Sequence, residues 1–233
     1  MCNTDGKAVT ETLGFASDKT PYRIDLNDGE LYEVDCEKTN GKSYITCTLL
    51  RGEGIMLLFT NEKQEAKKQP VLVPLVELKW FHSFVNRQFE VDEQVGMKNT
   101  YYSDGKNLGG LGEWDCNFSG EVTYQTKLPE IPESGVVLDL GEVRCAAKVY
   151  VNGNKVAEST MPPYRVPLKG VKTGDTLKVV VSNTSANAIR CSKFFEHQEA
   201  KHIGSYHERM LGLEKLVPAG GLIGPVWLLL EKE

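Results

Sequence analysis

The amino-acid sequence predicts an all-β protein, a β-sandwich or jelly roll preceded by a small antiparallel β domain. Three observations carry this prediction. Apolar residues alternate with polar ones at a period of two along most of the chain, the spacing of a strand with one wet face. Turn residues interrupt these runs roughly every 8–14 residues. No strand–helix–strand rhythm of the kind that builds parallel sheets is present.

The first strand series begins at Tyr22–Leu26, followed by Asp28-Gly29. In Leu31–Glu37, Tyr32, Val34 and Cys36 share one face, while Glu33, Asp35 and Glu37 share the other. Asn40-Gly41 then turns the chain into Ser43–Leu49, with Ile45, Cys47 and Leu49 inward. Ile55–Thr60 follows Arg51–Gly54. Asn61–Pro70 crowds Glu, Gln and Lys ahead of a proline and reads as a linker. The predicted domains are therefore 1–66, the small antiparallel β domain, and 67–233, the sandwich.

The second series opens with the apolar run Val71–Phe81 and a polar, glycine-rich tract from Asn86 to Gly112. Glu121–Leu128 places Val122, Tyr124, Thr126 and Leu128 on one face. Gly135–Leu140 is short and apolar, as a central strand is. Ala147–Val151 enters Asn152-Gly153, a type I′ hairpin signal, and Lys155–Glu158 returns. Tyr164–Leu168, Thr176–Asn183 and Val226–Leu230 complete the set. Ser192–Leu216 breaks the pattern and reads as a short helix or a long ordered loop.

Charge and composition exclude several function classes. Of 233 residues, 27 are Lys or Arg and 32 are Asp or Glu, for a net charge of -5. A mildly acidic surface does not attract phosphate backbones or anionic headgroups, so neither nucleic acid nor membrane is an expected partner. No apolar run approaches the roughly 20 residues of a membrane span. Met1–Lys19 is polar and carries no export signal, which predicts a soluble chain and leaves its compartment open. The six cysteines stand singly and are expected as free thiols, with Cys36 and Cys47 as small buried hydrophobes.

Five segments in order are more specific: Phe118–Tyr124 (FSGEVTY), Leu138–Gly153 (LDLGEVRCAAKVYVNG), Pro162–Val166 (PPYRV), Gly174–Asn187 (GDTLKVVVSNTSAN) and Gly221–Leu228 (GLIGPVWL). Together they resemble the galactose-binding-like β-sandwich of bacterial glycoside hydrolases, both family-two-like enzymes and α-L-rhamnosidase-type enzymes that carry it near the C-terminus. The first series resembles the small β domain that often precedes such a module. The resemblance implies a non-catalytic C-terminal region that supports a catalytic (β/α)₈ barrel domain, its expected partner, with carbohydrate as a second partner. Enzymes of this type are often exported. An autonomous carbohydrate-binding module and a purely structural or interaction domain are the alternatives.

The residues themselves offer little catalytic chemistry. Glycoside hydrolysis needs two carboxyl groups roughly 5–10 Å apart, and no spacing pairs any two of Glu113, Asp115, Glu121, Asp139 and Glu142. Ser119-Gly120 lacks the frame of a nucleophile elbow. His197, His202 and His207 recur every five residues, a spacing that sends them round a helix instead of to one metal. No cofactor is expected, and no ligand spacing indicates a structural calcium.

Sugar binding uses aromatic rings on C–H faces and polar groups on neighbouring hydroxyls. The candidates for that role are Trp114, Asp115, Arg144, Tyr164, Arg165, Asn183 and Asn187. Each also has a structural reading: Trp114 as a plug at the sandwich end, Tyr164 in the core, and Arg144 paired with Glu142 or Asp139.

Overall fold

A computed structural model describes residues 1–5, 7–26, 29–80, 82–92, 96–107, 111–114, 118–184 and 220–232. Among these the protein is all-β, and the chain divides into two compact units. Unit 1 comprises Met1–Val73, Met161–Pro163 and Glu231–Glu233; unit 2 comprises Pro74–Thr160 and Tyr164–Leu230.

Unit 1 is built from β1 (Val9–Phe15), β2 (Thr20–Ile24), β3 (Leu31–Glu33), β4 (Glu37–Thr39), β5 (Lys42–Leu49) and β6 (Met56–Thr60). They form two three-stranded sheets, ordered β1-β5-β4 and β3-β2-β6. Ile45, Leu49, Tyr22 and Ile55 are buried, and the Phe15 and Phe59 rings meet at 5.1 Å. The β4–β5 hairpin turns at Asn40-Gly41, both at positive φ, as a type I′ turn requires.

One expectation changes here. The alternation of Leu31–Glu37 is continuous in sequence, yet the segment divides into β3 and β4, which pair in different sheets. Period two records which way side chains point, not which partner the backbone takes. The predicted linker at Asn61–Pro70 holds no strand, but Lys67 bridges to Tyr32, and its backbone bonds Leu31 and Glu33. Sequence reasoning missed β1, although Val9, Leu13 and Phe15 are its three partly buried positions.

Unit 2 continues through β7 (Val71–Glu77), β8 (His82–Asp92), β9 (Gly96–Asn107), β10 (Gly112–Glu113), β11 (Gly120–Lys127), β12 (Val136–Asp139) and β13 (Glu142–Arg144). It closes with β14 (Ala146–Val151), β15 (Asn154–Ser159), β16 (Arg165–Leu168), β17 (Thr176–Ser182), β18 (Gly221–Gly224) and β19 (Trp227–Lys232). A six-stranded sheet, β15-β14-β17-β11-β8-β9, and a four-stranded sheet, β16-β12-β19-β7, make the sandwich. A small sheet, β10-β18-β13, accompanies them. The polar tract after Asn86, which carried no strand expectation, pairs as the β8–β9 hairpin.

The core follows the predicted alternation. Val122, Tyr124, Leu177, Val179 and Val181 are fully buried from the six-stranded sheet, and Leu138 and Leu228 from the other. At about 25 cal/mol per Å² of buried apolar surface, such side chains each contribute on the order of 2 kcal/mol. Asn152-Gly153 turns β14 into β15 with both residues at positive φ. Asn152 is braced by Asp175: its Nδ2 donates to Oδ1 at 2.9 Å, and its Oδ1 accepts from the Thr176 amide at 2.9 Å.

Among the described residues Cys2, Cys36, Cys47 and Cys145 are free thiols. Cys36 and Cys47 are half-buried and not enclosed as expected, and burial pushes the Cys47 thiol up. No helix among the described residues is long and apolar enough to cross a membrane.

Candidate functional site

One end of unit 2 gathers most of the sugar-binding candidates that the structure describes. There β10 ends, β11 and β14 begin, β13 and β17 end, and β18 starts. Gly221 is the pivot, in register with Glu113 on one side and Arg144 on the other. Its neighbour Gly220 is wedged between two candidates. A Cβ there would lie 2.7 Å from Asn183 Nδ2 and 2.9 Å from Trp114 Cε3, so only glycine lets these side chains close on the backbone.

Trp114 is held on several sides. Its backbone amide donates to the Gly220 carbonyl at 3.1 Å, and its indole N–H donates to the Tyr124 hydroxyl at 2.7 Å. Phe118 meets it edge-on, with ring centroids 5.2 Å apart. Burial pushes the Tyr124 hydroxyl up, and the hydrogen bonds from Trp114 and the Leu222 backbone oppose that shift. Trp114 is thus a half-buried wedge anchored to the core and not an open platform.

Asn183 uses both ends of its amide on backbone. Its Oδ1 accepts from Gly120 at 2.8 Å, and its Nδ2 donates to the Phe118 carbonyl at 2.9 Å. Arg144 grips Glu142 through Nε at 2.7 Å and Nη2 at 2.6 Å, one of the pairings its strand position suggests. Tyr164 is buried, and its hydroxyl donates to the Cys145 carbonyl at 2.7 Å. Burial pushes that phenol up to about 12, with the nearby Cys145 thiol adding to the shift.

Arg165 is engaged elsewhere: its Nε meets Asp139 Oδ2 at 2.8 Å. Asp115 and Asn187 lie outside the described residues, as do His197, His202, His207 and the Ser192–Leu216 segment.

Two carboxylates of the sandwich are engaged as well. Glu121 Oε1 accepts from Ser182 Oγ at 3.1 Å and faces Lys148 Nζ at 3.7 Å. Asp139 is held by Arg165 and by the Gly141 amide at 2.9 Å. No group of three His, Cys, Asp or Glu residues that could hold a metal ion occurs among the described residues. Sequence reasoning missed the Tyr124 and Gly220 partners of Trp114. Tyr124 alternates inward with its neighbours, and nothing local distinguishes a core tyrosine from one with a hydrogen-bond partner.

The fold is one found within glycoside hydrolases. A rhamnosidase from Novosphingobium sp. PP1Y superposes with a TM-score of 0.56 at 20% identity, over 98% of this chain and 22% of that one. A GH2 beta-galacturonidase from Eisenbergiella tayi gives 0.33 at 16% identity, over 66% of this chain and 25% of that one. The chain therefore spans about a quarter or less of these structures. No family model and no curated protein matches it.

Proposed function

We propose that this chain is a galactose-binding-like, non-catalytic module of a glycoside hydrolase, which supports a catalytic barrel domain. The small β domain of residues 1–66 precedes the sandwich of residues 67–233 in this reading. The observation that carries it is the overlay of nearly the whole chain on a minor part of a rhamnosidase. The pairing of Asp139, Glu142 and Glu121 with Arg165, Arg144 and Lys148 supports it, since those carboxylates are committed to ion pairs within the sandwich. Carbohydrate recognition at the Trp114 end is the second reading, and it is favoured by the gathering of Trp114, Asn183 and Arg144 around Gly220-Gly221.

The test assays the purified chain on nitrophenyl glycosides of rhamnose, galactose and glucuronic acid. Calorimetry with the free sugars, with and without calcium, accompanies it. The proposal expects no turnover; turnover above a buffer control overturns it. Saturable sugar binding lost in Arg144→Ala moves the role from support to recognition.

A further inference from the structure

The exposed face of the β1-β5-β4 sheet in unit 1 carries a constellation that the proposed function does not use. Alternate residues of β5 point outward, and Tyr44, Thr46 and Thr48 are exposed. Their partners on β1 are Gly14, Thr12 and Thr10. Thr10 and Thr48 share a hydrogen bond of 2.8 Å between their hydroxyls, and Thr12 and Thr46 one of 2.7 Å. The Tyr44 ring lies over Gly14: a Cβ on that glycine would be 2.9 Å from Cε1 and 3.3 Å from Cδ1. Glu37 of β4 flanks the ring from the other side, in register with Tyr44.

From this geometry we propose a carbohydrate-binding platform centred on Tyr44. The missing side chain at Gly14 lets the Cδ1–Cε1–Cζ edge of the ring close over the strand, with the residue 37% exposed. An exposed aromatic ring on a sheet offers its π-system to the C–H groups of a sugar ring. Beside it, each threonine pair uses one hydroxyl proton internally, which leaves one proton and lone pairs for a ligand. Pairing also restrains each threonine side chain, so less side-chain freedom is lost on binding. Successive pairs along a strand stand about 7 Å apart, so ring and hydroxyls form one continuous row.

The charge of the face selects the ligand. Glu37 and Lys42 are its acidic and basic members and balance one another, which fits a neutral glycan better than a polyanion. A single ring among hydroxyls also falls short of the apolar centre of a protein interface.

The test titrates the labelled full chain with L-rhamnose, D-galactose and a soluble neutral galactan, following backbone amides by NMR. Saturable shifts at Gly14, Tyr44 and Thr46 are expected with at least one probe. Tyr44→Ala should weaken binding about tenfold, and Tyr44→Phe should retain it. Because Tyr44→Ala uncovers Gly14 and could loosen the sheet, Thr46→Val is the second variant; it should weaken binding while leaving the Gly14–Tyr44 contact. Shifts that survive Tyr44→Ala, or no shifts with any probe, overturn the platform. So do shifts confined to Trp114, Arg144 and Asn183, an outcome that leaves sugar recognition by the sandwich standing. Tighter binding of polygalacturonate than of galactan overturns the assignment to neutral glycans.

Discussion

The Tyr164 hydroxyl donates to the Cys145 carbonyl at 2.7 Å, and the Cys145 amide donates to the Ser182 carbonyl at 3.2 Å. Tyr164 leads into β16 of the four-stranded sheet, while Ser182 ends β17 of the six-stranded one. A single residue is thus bonded through its carbonyl to one sheet's entering residue and through its amide to the other sheet.

This staple carries a pH signature. The Tyr164 phenol rises from 10.0 to about 12, chiefly through burial. A folded value above the unfolded one means the contribution is complete below pH 10 and is lost as pH climbs toward 12. The loss is on the order of 2 kcal/mol. Tyr164→Phe should cost about 1 kcal/mol at neutral pH by leaving the Cys145 carbonyl without its donor, and should flatten the alkaline limb. Urea melts from neutral to alkaline pH check this; an unchanged limb in the variant refutes it.

Trp114 and Tyr124 should prove coupled. Tyr124→Phe strands the Trp114 indole N–H at the end of a 2.7 Å bond, at a cost of about 1–3 kcal/mol, while Trp114→Phe leaves the Tyr124 hydroxyl with the Leu222 backbone alone. The double variant should cost less than the sum, because the Trp114–Tyr124 bond is lost only once. Additive losses in a denaturation cycle contradict the bond.

Two glycines of unit 2 should behave differently. Gly141 and Gly153 both have positive φ, but a Cβ on Gly141 would lie 2.5 Å from the Pro225 carbonyl oxygen, and one on Gly153 meets nothing within 4 Å. Gly153→Ala should cost about 1 kcal/mol in backbone conformation. Gly141→Ala adds a clash with immovable backbone and should cost at least about 3 kcal/mol. Thermal melts of both variants decide the ranking.

Asn183→Ala should destabilise the sandwich by about 2 kcal/mol, because the Gly120 amide and the Phe118 carbonyl both lose a side-chain partner. Asn183→Asp keeps the acceptor but puts an anion against the Phe118 carbonyl, and should recover only part of the loss. Full recovery would show that the Nδ2 bond contributes nothing.

Sequence legibility followed local chemistry. Val122, Tyr124, Thr126 and Leu128 were placed inward by period two, and all four are buried. Asn152-Gly153 was readable because the turn demands positive φ at both positions. For Arg144 the sequence left Glu142 and Asp139 both open as partners, and the structure shows the Glu142 pair. β1 was hidden because Thr10, Glu11 and Thr12 are polar on both faces. The Trp114–Tyr124 bond and the Gly220 wedge join residues far apart in the chain, and no periodicity encodes such meetings.

The sheet order β16-β12-β19-β7 carries a consequence for biogenesis. Its inner strand β19 is made well after its neighbours β12 and β7. During synthesis those two present unsatisfied backbone edges and an apolar inner face, a state prone to wrong pairing. Correct assembly must await the arrival of Trp227–Lys232, so the nascent protein depends on a late insertion and not on sequential growth of the sheet.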